Sequence, residues 1–388
     1  MATKLWTLHF MRICLANLLL FISLYMLYPV LPSVMAERLG MPVYQTGAVF
    51  ILYTLAMFFV GPFHGYLVDA YKRKYVCVFS FGVVLAATVG YMFVHDATQL
   101  IMLCMAQGIA FGIATTAGIT LAIDITNSSF RSAGNMVFAW AARLGMIAGV
   151  AAGVFFYQAY GFRMLIYASL AIGLLGIFFV SRVYVPFRAP IGTKLISNDR
   201  FLLFRGWIPA LNLILIALVP GILLPVLSHS FSSVLLGDVS VPFFAVTGVG
   251  FIFSLMVARL LFRGERKTWL QVVAGLILII AAMGELIVPV GGHILFAAVL
   301  LGVGLGLVTP EFLMMFVKLS QHCQRGTANT THLLAWEAGI SLGIATACYL
   351  EVTASQEVAC QVGMLSAVIA LAFFVLLTYP YFKKKRVR

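Results

Sequence analysis

Apolar runs of about twenty residues, divided by short polar breaks, fill almost all of the 388-residue chain. Six precede the midpoint, near residues 10–31, 44–64, 75–94, 99–123, 134–157 and 164–183. Six follow it, near residues 206–227, 241–262, 269–288, 294–317, 328–350 and 361–382. A helix rising 1.5 Å per residue needs about 20 residues to cross the hydrocarbon layer, so each run predicts one crossing. The runs are continuous rather than alternating at period two, which excludes a strand barrel. The first run is too long for a signal-peptide core and is retained as a helix. The longest break, at 182–205, carries Arg188, Lys194, Asp199 and Arg200. It divides the chain into residues 1–183, a linker at 184–205, and residues 206–388.

Composition leaves no room for a soluble domain. Hydrophobic residues make up 63% and charged residues 10%, against roughly 25% charged in soluble proteins; mean hydropathy is +1.06. The formal charge of +13 invites a nucleic-acid reading, but its distribution argues for membrane orientation. If the first helix starts inside, only Arg38 and Arg163 fall in outer loops and only Arg143 lies mid-span. Every other lysine and arginine sits on the inner side, the bias that places both termini in the cytoplasm of an inner-membrane protein. The six cysteines show no CxxC spacing and read as small core residues. There is no Walker loop, HExxH or metal-ligand cluster, so neither an enzyme, a cofactor nor a resident metal is expected.

Two sets of six helices predict an internal repeat. At a shift of 194 residues Gly108 meets Gly302, Gly112 meets Gly306 and Thr115 meets Thr309. Arg131 meets Arg325, Asn135 meets Asn329, Gly145 meets Gly339 and Gly149 meets Gly343. The chain is therefore a duplicated six-helix unit.

Between the second and third runs stands Gly65-Tyr-Leu-Val-Asp-Ala-Tyr-Lys-Arg-Lys74, with one acid and three bases at a tight re-entry into lipid. It resembles the G-x-L-x-D-x-x-x-R-K loop of major facilitator superfamily transporters. Gly65, Leu67, Asp69, Arg73 and Lys74 fall on that template; Ala70 and Lys72 replace a common arginine and glycine. The second copy, after helix 8, keeps the basic pair Arg266 and Lys267 but lacks the acid. The resemblance implies two pseudo-symmetric six-helix bundles, an all-α membrane fold, around a central cavity lined by helices 1, 4, 7 and 10. It also implies gating at the inner surface, where Asp69 serves as a latch to the other half and Arg73 and Lys74 hold the loop at the surface. Asp124, at the inner end of helix 4, reads as a gate contact with Arg131 or the loop bases for a partner.

Ionisable groups inside the bilayer are the sharpest functional signal, since each costs at least ~2.5 kcal/mol at a helix centre. Arg143 and Glu337 lie at matching mid-span depth and are repeat equivalents. Glu337 reads as a proton-exchanging or cation-binding carboxylate, and Arg143 as an anion site or electrostatic modulator. His332, five residues earlier, is rotated about 140° from Glu337 and falls on another face. Glu311 follows Pro310, which frees a backbone carbonyl, and is a second candidate ligand; Glu285 reads as a solvated rim residue. Asn17 and Asn212 are matched amides in presumed cavity helices, suited to substrate contact or helix-to-helix bonding. Tyr25, Tyr28, Trp140 and Trp336 can shape an aromatic cavity or simply pack. Gly145, Gly149 and Gly153 form a close-packing stripe that also resembles the antiporter signature of drug and metabolite exporters, with Val150 and Val154 departing from it.

These readings predict a monomeric secondary transporter in the lipid bilayer, moving a small-molecule substrate by alternating access. A proton or another ion supplies the drive, and export leads. Proton-coupled import by symport, and a lipid-moving or sensor protein on the same fold, are the alternatives.

Overall fold

The computed structural model describes residues 5–127, 130–185, 195–196, 201–229, 233–236, 239–262, 267–287, 291–321 and 324–386. The first half holds α1 (Leu8–Tyr25), α2 (Leu31–Leu39), α3 (Val43–Ala70), α4 (Arg73–Gly90), α5 (Ala97–Ile125) and α6 (Arg131–Ser181). The second holds α7 (Trp207–His229), a hairpin of β1 (Ser233–Leu236) and β2 (Val239–Pro242), α8 (Phe243–Leu261), α9 (Lys267–Ile287), α10 (Gly291–Leu319), α11 (Arg325–Thr353), α12 (Gln356–Phe373) and α13 (Tyr379–Lys385). Among the described residues eleven helical stretches are long and apolar enough to cross a membrane. The longest, α6, contains two crossings. Gly161 breaks it at φ 77°, ψ 178°, a conformation open to glycine, so the chain crosses twelve times and both ends lie on one face. Phe59, Phe79, Leu260 and Leu376 are among the most exposed side chains; the apolar exterior is what lipid requires.

The duplication is visible in backbone contacts. A Cβ at Gly108 would collide with the Tyr53 carbonyl, and one at Gly302 with the Thr247 carbonyl; Tyr53 and Thr247 are themselves 194 apart. A Cβ at Gly149 would stand 2.6 Å from the Ile22 oxygen, and one at Gly343 inside contact distance of the Leu218 oxygen. Each half thus presses its fifth helix onto its first, and its fourth onto its second, by the same glycines. Close backbone approach of this kind replaces hydrophobic driving force inside lipid.

Four local features depart from the hydropathy reading. The first apolar run is not one helix: α1 ends at Tyr25, residues 26–30 turn, and α2 starts at Leu31. Pro29 and Pro32 explain the break. Irregular backbone at this depth needs protein around it, and Tyr25 to Tyr28, Val30 and Leu31 are all buried. The external segment is itself helical as α2, closed by Gly40 at φ 63°. There Arg38 donates to the carbonyls of Tyr91 and Met92 at 3.2 and 2.7 Å. In the Gly65-to-Lys74 motif, Gly65 to Ala70 continue α3, leaving only Tyr71 and Lys72 as the turn. Finally, β1 and β2 pair antiparallel, Val234 against Val241 and Leu236 against Val239, in the break between the seventh and eighth apolar runs.

Most of the linker at 184–205, Arg266, and the side chain of Lys267 lie outside the described residues. Near the linker's end Phe201 and Leu203 are buried. Phe201 fills the space against Gly61, and the Leu203 N–H donates to Thr331 Oγ1 at 2.8 Å, docking this segment beneath both halves.

Candidate functional site

Helix α11 runs through the seam between the halves, against α7 of its own half and α3 of the other. Two neighbours on it, Trp336 and Glu337, are fully enclosed. Tyr25, the last residue of α1, donates its hydroxyl to Glu337 Oε1 at 2.7 Å. One helical turn further, Ser341 shares a 2.6 Å hydrogen bond with Thr54 of α3. Thr54 also reaches the Glu337 carbonyl at 3.4 Å. Tyr28 lies tilted against Tyr25 with centroids 4.4 Å apart, and Tyr53 stands edge-on to Tyr28 at 6.1 Å. The first half therefore surrounds a carboxylate supplied by the second.

Arg143 joins this enclosure from α6. Its guanidinium lies 3.8 Å from the centroid of the Trp336 ring, a cation–π contact worth about 2 kcal/mol when desolvated. It is 4% exposed, and its Nη1 has no hydrogen-bond partner. Glu337 Oε2 is likewise without one. Among the described residues the two charged groups make no contact ion pair within 4.0 Å. A buried charge without its partner costs several kcal/mol, so the arrangement holds two unmet electrostatic demands side by side.

From Arg143 a cavity of about 50 Å³ extends toward the face that carries the termini. Asn17, Thr115, Asn329 and His332 contribute its polar groups, and Phe138 and Leu333 its apolar wall. Asn17 is fixed by donation to the Phe138 carbonyl at 3.0 Å. His332 is 4% exposed, sits 5.7 Å from the Phe316 ring, and leaves Nε2 unpartnered. His332 and Glu337 do fall on different faces of α11, but the helix is surrounded, so both address the interior.

On the opposite face the seam is tightly shut. A Cβ at Gly47 of α3 would stand 2.5 Å from Cys348 Cβ of α11. Towards the termini the halves separate: a groove of about 340 Å³ runs between Met136 and Trp140 of α6 and Arg259, Gln271 and Glu311 of the second half. The state described is closed to the far face.

The remaining candidates sit apart from the centre. Glu311 lines that lateral groove rather than the Arg143 cavity. Asn212 turns toward the twelfth crossing, where its amide meets Thr378 at 2.8 Å. With the amide swapped it also bonds Ala370 and Phe374 at 3.2 and 3.1 Å. Those partners bracket a π-helical turn at Phe374–Thr378, so Asn212 secures a helix irregularity. Glu285 pairs with His293 at the rim. Arg73 binds Asp124, lies 3.6 Å from Asp69, and donates to the Val68 carbonyl at 3.3 Å. Lys74 donates to the Ser181 carbonyl at 3.0 Å. These contacts tie the termini-side ends of α3, α4, α5 and α6 into one block. Arg131 opens α6, and its side chain lies outside the described residues. Gly145, Gly149 and Gly153 all meet α1 and its exit turn at backbone, at Leu18, Ile22 and Met26.

Comparison with known proteins agrees with this architecture. The Major Facilitator Superfamily profile matches residues 13–344. An uncharacterised MFS-type transporter, YtbD of Bacillus subtilis (strain 168), is 26% identical over 181 residues, 43% of this chain and 44% of that protein. The match thus spans under half the length of this relative. Three solved structures share the fold. The human organic anion transporter MFSD10 (TETRAN) has TM-score 0.68 and 16% identity, covering 94% of this chain and 98% of its own. A point mutant of the peptide transporter POT in complex with alafosfalin has TM-score 0.72 and 13% identity, with 98% and 96% covered. A point mutant of the nucleoside transporter NupG has TM-score 0.66 and 15% identity, with 95% and 100% covered.

Proposed function

Because the chain belongs to the major facilitator superfamily and is a multi-pass membrane transporter, we propose that it is a proton-coupled secondary transporter of a small solute. Glu337 is its coupling carboxylate. The observation that carries this reading is Glu337 itself: fully enclosed, clasped by Tyr25 of the other half, and with one carboxylate oxygen left without a partner. An isolated carboxylate there is expensive in its charged form. A cycle that admits it to water on one face, loads a proton, and encloses it again turns that cost into coupling. Arg143 adds the second half of the device. A proton on Glu337 leaves the arginine's charge uncompensated and ready for solute, while loss of the proton restores a local counter-charge.

Two directions fit the cycle. Export by antiport is the direction suggested by the glycine stripe of α6. That stripe, however, is spent on α1 backbone, and Gly339 and Gly343 make the same contacts in the other half, so packing alone accounts for it. The shared enclosure of Arg143 and Glu337 favours symport instead, because proton and solute then assist each other's binding. The charge distribution supports termini in the cytoplasm and an inner-membrane location, and we take the monomer as the working unit. The deciding experiment is transport in proteoliposomes. Glu337→Gln should abolish accumulation driven by a pH gradient yet retain solute exchange; undiminished gradient-driven accumulation would refute the role of this carboxylate.

A further inference from the structure

The polar cavity below Trp336 contains an electrostatic clue to the solute. Its lining holds two buried basic side chains, Arg143 and His332, each 4% exposed and each with a ring or guanidinium nitrogen lacking a hydrogen-bond partner. Among the described residues that line it there is no carboxylate. Glu337, though near Arg143, is absent from this lining. Buried polar groups are normally satisfied, and an unpartnered guanidinium nitrogen most needs an anionic acceptor.

We propose that this cavity is the seat of an organic anion, whose carboxylate or equivalent acidic group binds Arg143 and His332. The inference rests on the transporter reading above and adds the class of solute. The guanidinium supplies a fixed charge and a planar donor edge that matches carboxylate geometry. With its other nitrogen hydrogen-bonded to the Thr309 backbone, the imidazole donates to the anion from Nε2 in its protonated form. The volume sets a limit on what lies there. A cavity of about 50 Å³ holds roughly three waters' worth of space, enough for the acidic group alone. The body of the solute then extends toward the termini face, along the apolar side chains of Phe138, Ile119 and Leu333, and requires the halves to part a little further. An amphipathic monoanion fits this division better than a sugar or a cation. A sugar would waste the charge, and a cation would meet Arg143 with no acid in the wall.

The test is binding to the full-length protein in detergent, with benzoate as the anionic probe and benzamide as its neutral isostere. Benzoate should raise the unfolding temperature with saturable concentration dependence, as a ligand of the native state does, while benzamide should not. Arg143→Gln should weaken benzoate binding roughly 30-fold or more, the effect of removing one partner of a buried charge pair. Arg143→Lys should recover part of it, and His332→Asn should show an intermediate loss. The ligand-free unfolding temperature of each variant reports its folding, and a variant that fails to fold is replaced by the conservative one. Glu337→Gln should bind benzoate at least as tightly as wild type, because it removes a nearby negative charge. That arm separates the two proposals: Glu337→Gln can lose proton coupling with anion binding intact, or anion binding can fail while coupling persists. Equal stabilisation by benzoate and benzamide would overturn the assignment. So would undiminished benzoate binding in Arg143→Gln, or no response of wild type to benzoate at about 50 mM, a level that detects even millimolar affinity.

Discussion

The hydrogen bond between Thr54 and Ser341 clasps the two halves in the state closed to the far face, which gives it a measurable consequence. It joins α3 and α11 at 2.6 Å across the seam, and Thr54 is 9% and Ser341 1% exposed. Thr54→Val keeps the side-chain shape but removes the hydroxyl and leaves Ser341 buried without its partner. An orphaned buried hydroxyl costs about 1–3 kcal/mol, and this cost falls on the closed state alone. At 1.4 kcal/mol per tenfold, the fraction open to the far face should rise roughly 5- to 150-fold. Cys348 reports that opening directly. It is fully buried against Gly47 on the far side of the clasp, and separation of α3 from α11 uncovers it. In membranes, labelling by an impermeant maleimide added on the far side should accelerate by at least about fivefold, with Cys348→Ser as the blank. The double variant Thr54→Val, Ser341→Ala removes both hydroxyls and should return part of the way to the wild-type rate, since no orphan remains. An unchanged or slower rate in Thr54→Val would refute the claim that this bond holds the far face shut.

Other expectations follow from packing. Gly149→Leu should prevent stable folding, because even a Cβ there lies 2.6 Å from the Ile22 oxygen and overpacking of a filled interface costs about 1–3 kcal/mol or more; the yield of monodisperse protein checks this. Phe201→Ala should lower the unfolding temperature, since a buried Phe→Ala cavity costs about 3–5 kcal/mol, and should loosen the linker's contact beneath α3, read by proteolysis at 184–205. Asn212→Leu should destabilise the π-turn of the twelfth crossing by about 1–3 kcal/mol without altering benzoate affinity, a separation that a thermal titration measures.

The hydropathy pattern revealed the twelve crossings because lipid forces each apolar run to satisfy its backbone internally. The duplication was legible for a related reason: glycines at backbone crossings tolerate no substitute, so Gly108 and Gly302 mark the same contact in each half. What the pattern concealed was tertiary. Pro29 lay inside a run read as one helix, and packing makes residues 26–30 a buried turn that delivers Tyr25 to Glu337. Arg143 and Glu337 stood out as mid-span ionisable groups; that Trp336 would lie beneath the arginine was not readable, because an aromatic in a membrane helix is unremarkable by itself. Ser341 did carry a weak signal, four residues after Glu337 on the same face. Thr54 carried none. The angular argument about His332 was geometrically sound, yet it misses that a helix enclosed on most sides offers several faces to the interior. Asn17 and Asn212 match in the repeat but do different work, one in the cavity wall and one at the π-turn, since divergence after duplication is a matter of neighbours.

The most direct test of the coupling claim uses one vesicle preparation. Wild type and Glu337→Gln are reconstituted with a labelled anion that passes the binding test above, and each is measured for exchange and for accumulation under an imposed pH gradient. The account predicts that both proteins exchange the anion and that only wild type accumulates it. Gradient-driven accumulation by Glu337→Gln at the wild-type level would contradict it.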